Sequence, residues 1–154
     1  MEFIHSVLEN DQPVAAGDIK SYDLPVNPLS HILITLKYTR TDAAAAGIPT
    51  YPIVIALMTK IEVLYKGSAI FSMSGADAVA AGLFVCGFES WGLNYLGVAA
   101  EECSFTFLVP LGRVLYDPRE CFPRSTRGEL ILQITYAAAL TGATAVKAQI
   151  ETVE

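Results

Sequence analysis

The chain has 154 residues, a net charge of −6, 53% hydrophobic residues and only 17% charged residues. Its length predicts a single domain over residues 1–154 that buries about two-thirds of the surface exposed by the unfolded chain. The acidic balance argues against direct binding of nucleic acid, and no apolar run reaches the roughly 18 residues that a membrane helix requires. The N-terminus MEFIHSVLEN also lacks the basic and apolar regions of a signal peptide.

The high apolar content leaves two interpretations open. Such a chain either has a well-filled core or carries extra apolar surface that a partner protein covers. The three cysteines, Cys86, Cys103 and Cys121, are spaced by 17 and 18 residues. This spacing fits neither paired metal-binding motifs nor a disulfide framework, so we interpret them as small apolar residues in or near the core.

Three strands are predicted in the first part of the chain. Short apolar stretches predict strands over 3–8 and 19–24, and the stretch 10–13 between them has the residue types of a turn. The clearest alternation runs over 31–41, where one face is apolar and the other is polar. The apolar face consists of Ile32, Ile34, Leu36 and Tyr38, and the polar face of His31, Thr35, Lys37 and Thr39.

A short helix and a hairpin are predicted next. The stretch 51–58 begins with a threonine and a proline typical of a helix start, although its β-branched residues also favour a strand. We predict a short helix there. Alternation over 60–65 predicts a strand, and Lys66-Gly67 predicts a tight turn into a partner strand over 68–72.

A second helix is predicted over 74–86. Ser74 is a suitable N-cap, because its hydroxyl can accept a hydrogen bond from the backbone amide of Asp77, whose carboxylate suits the first turn. Small residues would let this helix approach another element closely. Its apolar stripe is predicted to consist of Val79, Leu83 and Cys86.

Three aromatic residues, Phe88, Trp91 and Tyr95, occur in the glycine-punctuated stretch 88–102, which predicts a loop. Two interpretations remain open for them. Loop aromatics commonly cover the edge of a core, and they can also form a platform that binds a ligand or a partner.

The last strands are predicted over 103–109, 130–136 and 144–153, which brings the number of strands to eight. Helices do not alternate regularly with these strands, which argues against a parallel βαβ sheet. The sequence therefore predicts an all-β protein. We expect an eight-stranded jelly roll, a β-sandwich of two half-apolar sheets, with one or two short inserted helices.

Searches for catalytic and metal-binding motifs give no candidate. His5 and His31 are far apart in sequence, and neither lies in a zinc-binding pattern. The chain has no phosphate-binding glycine loop and no nucleophile elbow, and no cysteine has the local signature of a catalytic nucleophile. We therefore expect no catalytic residue, no cofactor, no metal and no enzymatic activity.

Four of the ten basic residues lie in the long segment between the strands 103–109 and 130–136, mixed with acidic residues. Three interpretations remain open: local salt bridges that hold a long crossover, a subunit interface, and an anion site. Arginine and tyrosine are favoured at subunit contacts. The candidate contact residues are Arg113, Tyr116, Asp117, Arg119, Arg124 and Arg127.

Three stretches together resemble one protein family. They are SYDLPVNPLSHILITLKYT, KIEVLYKGSAIFSMSGADAVAAGL and VPLGRVLYDPRECFPRSTRGELILQITY. They resemble the jelly-roll major capsid proteins of tailless icosahedral viruses with an internal membrane, the lineage that joins certain bacteriophages to adenovirus. In such proteins, a strand followed by PLGR, an acidic-proline turn, FP and a GELxLxI strand bridges two strands of one jelly roll.

The resemblance implies a structural virion protein that assembles with other capsid subunits, identical or different, into an icosahedral shell. Members with two jelly rolls are more than twice as long, so the length of this chain points to the single-jelly-roll branch or to a minor shell protein. A position in the capsid near an internal viral membrane is implied, with no catalytic residue. The alternative from the residues themselves is a β-sandwich module that binds a glycan or another ligand through Phe88, Trp91 and Tyr95.

Overall fold

The computed structural model describes residues 3–40, 54–93, 102–139 and 143–154. Within these ranges the chain forms nine strands and one long helix. In chain order they are β1 (His5–Pro13), β2 (Ile19–Asp23), β3 (His31–Arg40), β4 (Met58–Tyr65), β5 (Ser68–Met73), α1 (Gly75–Cys86), β6 (Trp91–Leu93), β7 (Glu102–Pro110), β8 (Leu130–Tyr136) and β9 (Ala143–Val153).

The strands form two antiparallel sheets that pack face to face. One sheet has the order β1-β9-β3-β7-β6, and the other has the order β2-β8-β4-β5. Connections repeatedly cross from one sheet to the other, so that neighbours within a sheet are distant in sequence. This is the arrangement of a jelly roll, and it confirms the predicted all-β sandwich.

The core lies between the two sheets, and the alternation predicted for β3 is confirmed. Ile34 is fully buried and lies opposite Phe107 of β7 and Ile150 of β9, which are also fully buried. Because each of these strands has a period of two, its other face is left to solvent or to a covering segment. Cys103 is buried as well, as its interpretation as a small core residue requires.

The first strand is longer than predicted. β1 continues through the residues predicted to form a turn and pairs with β9 as far as Pro13. Its register shifts twice, between Val7 and Glu9 and between Glu9 and Gln12, and Asp11 has a φ of +54°. A bulged edge strand accommodates such residues, because a left-handed aspartate and an edge proline do not interrupt the pairing of the whole strand.

The helix predicted over 51–58 is only partly within the described residues. A helical turn lies at 54–57, where the amide of Leu57 donates to the carbonyl of Val54 at 3.1 Å. The prediction was wrong at its end, because Met58 already begins β4 and pairs with Tyr136. The following turn was predicted correctly: Lys66 and Gly67 both have positive φ, +51° and +80°, as a two-residue hairpin turn requires.

The N-cap of α1 is confirmed, but its buried face differs from the prediction. The amide of Asp77 donates to the hydroxyl oxygen of Ser74 at 3.2 Å, and that hydroxyl donates to the Asp77 carboxylate at 2.7 Å. The residues that α1 buries are Gly75, Ala78 and Gly82, whereas Leu83 of the predicted stripe is exposed.

The buried face of α1 differs from the prediction because the helix lies very close to the sandwich. A Cβ atom at Gly82 would lie 2.8 Å from the carbonyl oxygen of Leu108, and one at Gly75 would lie 2.5 Å from that of Ile55. Only residues without a side chain fit at these two contacts. The larger side chains of Leu83, Phe84 and Val85 are exposed, whereas Val79 of the predicted stripe is partly buried and packs against the core.

Candidate functional site

The segment 111–129, which we call the crossover loop, connects β7 to β8 and lies against the residues before β3. Phe122 and Leu29 form an antiparallel bridge: the amide of Phe122 donates to Leu29 at 2.7 Å, and the amide of Leu29 donates to Phe122 at 3.0 Å. The amide of Ser125 donates to the carbonyl of Val26 at 3.0 Å. These bonds hold the loop at one end of the sandwich.

Tyr116 adds side-chain contacts to this attachment. Its ring makes edge-to-face contacts with Phe3 and His31, with centroid distances of 5.2 and 5.1 Å. Its backbone amide donates to the hydroxyl oxygen of Ser30 at 2.9 Å, and its φ is +62°. The loop is therefore positioned by backbone hydrogen bonds and aromatic packing.

Ion pairs between side chains of the crossover loop contribute little to holding it in place. Within the described residues, one ion pair joins two side chains of the loop, Asp117 and Arg119 at 2.9 Å. Hydrogen bonds from the side chain and the backbone of Arg119 lower the pKa of the Asp117 carboxyl. Arg119 itself is 88% exposed, and exposed ion pairs contribute little to stability.

The other three arginines of the loop, Arg113, Arg124 and Arg127, are exposed. In the described part of the chain, no carboxylate lies within 4.0 Å of their guanidinium groups. Among the four arginines of the crossover loop, Arg119 alone therefore has a carboxylate partner in the described residues. Glu129, the last residue of the loop, adds an ion pair with Lys66 at 3.7 Å. Local salt bridges thus account for part of the attachment and involve none of the other three arginines within the described ranges.

His31 is buried beneath Tyr116, with 1% of its surface exposed. Its Nδ1 lies 3.0 Å from the hydroxyl oxygen of Ser30. Burial lowers the pKa of His31 to about 4, with a smaller contribution from the charge of His5. The imidazole is therefore neutral in the folded protein at neutral pH.

We expect the stability of the folded chain to fall between pH 6.5 and 4 because of His31. The unfolded chain binds the proton near the ordinary pKa of 6.5 and the folded chain only near 4, so the unfolded state gains protons first as the pH falls. The loss reaches at most about 3 kcal/mol at the acidic end and is absent above pH 6.5.

Urea unfolding at a series of pH values measures this loss. His31→Gln should flatten the dependence between pH 5 and 6.5, whereas His5→Gln, at an exposed position, should leave it steep. An unchanged slope in His31→Gln would contradict the assignment to His31.

The aromatic residues predicted to lie in a loop are placed differently by the structure. Trp91 begins the short strand β6 and pairs with Thr106 of β7, so the prediction of a loop was wrong there. A Cβ atom at Gly92 would overlap the carbonyl oxygen of Ser104, and glycine therefore permits this close pairing. Phe88 is half-buried just before β6, and Tyr95 lies outside the described residues.

An exposed apolar surface on α1 was missed by the sequence analysis. Phe84 is 85% exposed, and its neighbours Leu83 and Val85 are 43% and 48% exposed. Beside them is a shallow depression of about 400 Å³, lined by Phe71, Met73, Val85, Leu111 and Arg113 among others. The signal in the sequence was the run LFV at the end of a helix made mostly of small residues.

Among the described residues, no three His, Cys, Asp or Glu side chains lie close enough together to hold a metal ion. No helix in the same ranges is long and apolar enough to cross a membrane.

No protein-family model and no curated protein matches the chain. Solved structures do match. The major capsid protein of Sulfolobus turreted icosahedral virus is 17% identical with a TM-score of 0.74, covering 99% of this chain and 48% of that one. The chain has the jelly-roll fold of viral major capsid proteins.

Two more capsid proteins share this jelly roll. VP54 of the virus PBCV-1 is 14% identical with a TM-score of 0.68, covering 99% of this chain and 42% of that one. The major capsid protein of bacteriophage PM2 is 13% identical with a TM-score of 0.57, covering 99% and 51%. The likeness to jelly-roll capsid proteins expected from the sequence is confirmed. The chain spans about half the length of the capsid proteins that it matches.

Proposed function

We propose that the chain is a structural subunit of an icosahedral virus capsid and assembles with other copies of itself or with a second capsid chain. The observation that carries this proposal is the match of 99% of the chain to the fold of major capsid proteins from three viruses. The proposed role is structural, without a catalytic step, in a shell that encloses an internal membrane. Direct contact with nucleic acid is not expected.

We expect one jelly roll in residues 1–154. These residues correspond to about half of each matched capsid protein.

The exposed arginines of the crossover loop support a contact with a neighbouring subunit. The chain as a whole carries −6, whereas Arg113, Arg124 and Arg127 lie together in one loop without an acidic partner in the described residues. Complementary charge orients two proteins as they associate. An acidic surface of a second copy is therefore a suitable partner for this loop.

The apolar surface of α1 supports a second contact. An 85% exposed phenylalanine is unusual on an isolated soluble domain, and Leu83 and Val85 extend the apolar surface on both sides of Phe84. Apolar patches of this kind are typical of protein interfaces, where aromatic side chains contribute most of the binding energy. A neighbouring capsid subunit would cover this patch.

Electron microscopy of the purified protein, together with light scattering over a range of concentration, salt and pH, tests the proposal. We expect capsomers, sheets or closed shells of regular spacing. A chain that stays strictly monomeric under all these conditions, alone and with the other capsid chains of its virus, would overturn the proposal.

Substitutions in the two proposed contacts should weaken assembly more than folding. We expect Phe84→Ser, and separately Arg124→Gln with Arg127→Gln, to lower the association constant about tenfold or more, because each removes a contact worth about 1.4 kcal/mol. The melting temperature should change by no more than about 2 °C, since all three side chains are exposed.

Ile19→Ser is the matched control, because Ile19 is 62% exposed on β2 of the four-stranded sheet and belongs to neither proposed contact. Sedimentation measures association, and calorimetry measures melting. If the contact variants lost as much melting temperature as the core variant Phe107→Ala, the division between contact and core residues would be contradicted.

A further inference from the structure

The outer face of the five-stranded sheet contains a groove of about 450 Å³. The strand register defines its centre: Thr35 pairs with Gln149 on one side and with Thr106 on the other, and Thr106 pairs with Trp91. Directly paired residues of antiparallel strands have their side chains on the same face. These four side chains therefore form one row across four strands, about 14 Å long.

One end of the row is an aromatic wall. Trp91 is 61% exposed and stands at the edge of the sheet, with Phe88 also lining the groove. Gly92 has no Cβ atom, and this permits β6 to lie close against β7; a Cβ at this position would overlap the carbonyl oxygen of Ser104. The position of the indole is thus set by the backbone and not by a flexible loop.

The floor of the groove contains polar groups beside the apolar side chain of Leu33. The hydroxyl oxygens of Thr35 and Thr106 lie 2.8 Å apart and share one hydrogen bond. That bond uses one donor and one lone pair, which leaves one donor and three lone pairs on the two hydroxyls. Ser104 and Gln149 line the same floor. The Gln149 amide nitrogen donates to the Glu151 carboxylate, which leaves the amide oxygen and one N–H of Gln149 for a ligand. The groove therefore presents both donors and acceptors beside an exposed aromatic ring.

The ionisable side chains of the groove have partners within the chain. Lys37 pairs with Asp11 at 2.6 Å, and His5 lies 2.5 Å from Glu151. An ionic ligand would have to compete with these partners. A neutral ligand that has many hydroxyl groups would not.

We propose that this groove binds a neutral sugar ring. The less polar C–H face of a pyranose packs against the Trp91 indole, and its hydroxyl groups bond to Thr35, Thr106 and Gln149. Small-ligand sites typically combine apolar or aromatic walls with a few well-placed polar groups. The site is separate from the two proposed subunit contacts.

Tryptophan fluorescence tests this proposal directly, because Trp91 is the single tryptophan of the chain. The protein is titrated with the methyl glycosides of glucose, galactose, mannose and N-acetylglucosamine, and with trisaccharides that end in each sugar. We expect a saturable change with at least one of them and a Kd on the order of 1 mM. Tighter binding of a trisaccharide would identify a glycan chain as the ligand, and equal binding would identify the single terminal ring.

Three variants assign the binding to the groove. Thr106→Val keeps the side-chain shape and removes the hydroxyl, and Gln149→Ala removes the amide; each should weaken binding about tenfold. Trp91→Ala should abolish binding measured by calorimetry. Ile19→Ser, on the opposite sheet, should bind like the unaltered protein, and circular dichroism establishes that each variant is folded.

Three outcomes would overturn the proposal. The first is the absence of a saturable change with every sugar up to about 100 mM, roughly a hundred times the expected Kd. The second is a folded Trp91→Ala protein with unchanged sugar binding. The third is a Trp91→Ala protein that loses assembly in place of sugar binding, which would assign this face to a subunit contact. A monomeric chain that binds sugar would overturn the capsid proposal and leave this one intact.

Discussion

Replacing Phe107 by alanine should lower the free energy of unfolding by about 3–5 kcal/mol. Phe107 is fully buried in β7, pairs with Ile34 of β3, and has its ring 6.1 Å from that of Phe105, two residues away on the same face. Removing the ring leaves a cavity that two paired sheets cannot easily close. The loss of stability therefore includes both the favourable free energy of burying the ring, which is forfeited, and the cost of the cavity that remains.

Phe84→Ala is the matched control for this prediction, because it removes the same side chain from an 85% exposed position. It should change the free energy of unfolding of the monomeric chain by no more than about 0.5 kcal/mol. Urea unfolding at low protein concentration measures both variants without a contribution from assembly. Equal losses at the two positions would contradict the position of Phe107 in the core.

Replacing Gly82 by alanine should lower the free energy of unfolding by about 1–3 kcal/mol, although the same change in an isolated helix adds about 1 kcal/mol. The sign is reversed because the new Cβ would lie 2.8 Å from the carbonyl oxygen of Leu108. That oxygen belongs to the backbone of β7, which is paired with β3 and cannot move without disturbing the sheet. The helix must shift away from the sandwich.

Ala80→Gly in the same helix measures the intrinsic preference for alanine in α1. This substitution should lower the free energy of unfolding by about 0.5–1 kcal/mol. Thermal unfolding of both variants separates the two effects, since alanine is favoured at one position and disfavoured at the other. A higher melting temperature for Gly82→Ala would show that α1 does not lie as close to β7 as described.

The crossover loop illustrates how far the sequence could lead. The arginine-rich composition identified the segment, and the phrase from PLGR to GEL carried the resemblance to capsid proteins. The attachment of Phe122 to Leu29 and of Tyr116 to His31 was not visible, because these pairs are 85 or more residues apart. Likewise, Trp91 was identified as an aromatic residue of a predicted loop, but its exposure and the row of polar side chains beside it depend on four separate strands.

The sequence by itself determined the features that depend on neighbouring residues. These are the alternation of β3, the turn at Lys66-Gly67 and the cap at Ser74, because period, turn geometry and capping act within a few residues. Only the tertiary structure decided which face α1 buries, that Trp91 starts a strand, and which side chains form the groove. Those features depend on how closely distant segments of the chain approach each other. Here Gly82 and Gly92, which have no side chain, permit α1 and β6 to lie close against β7.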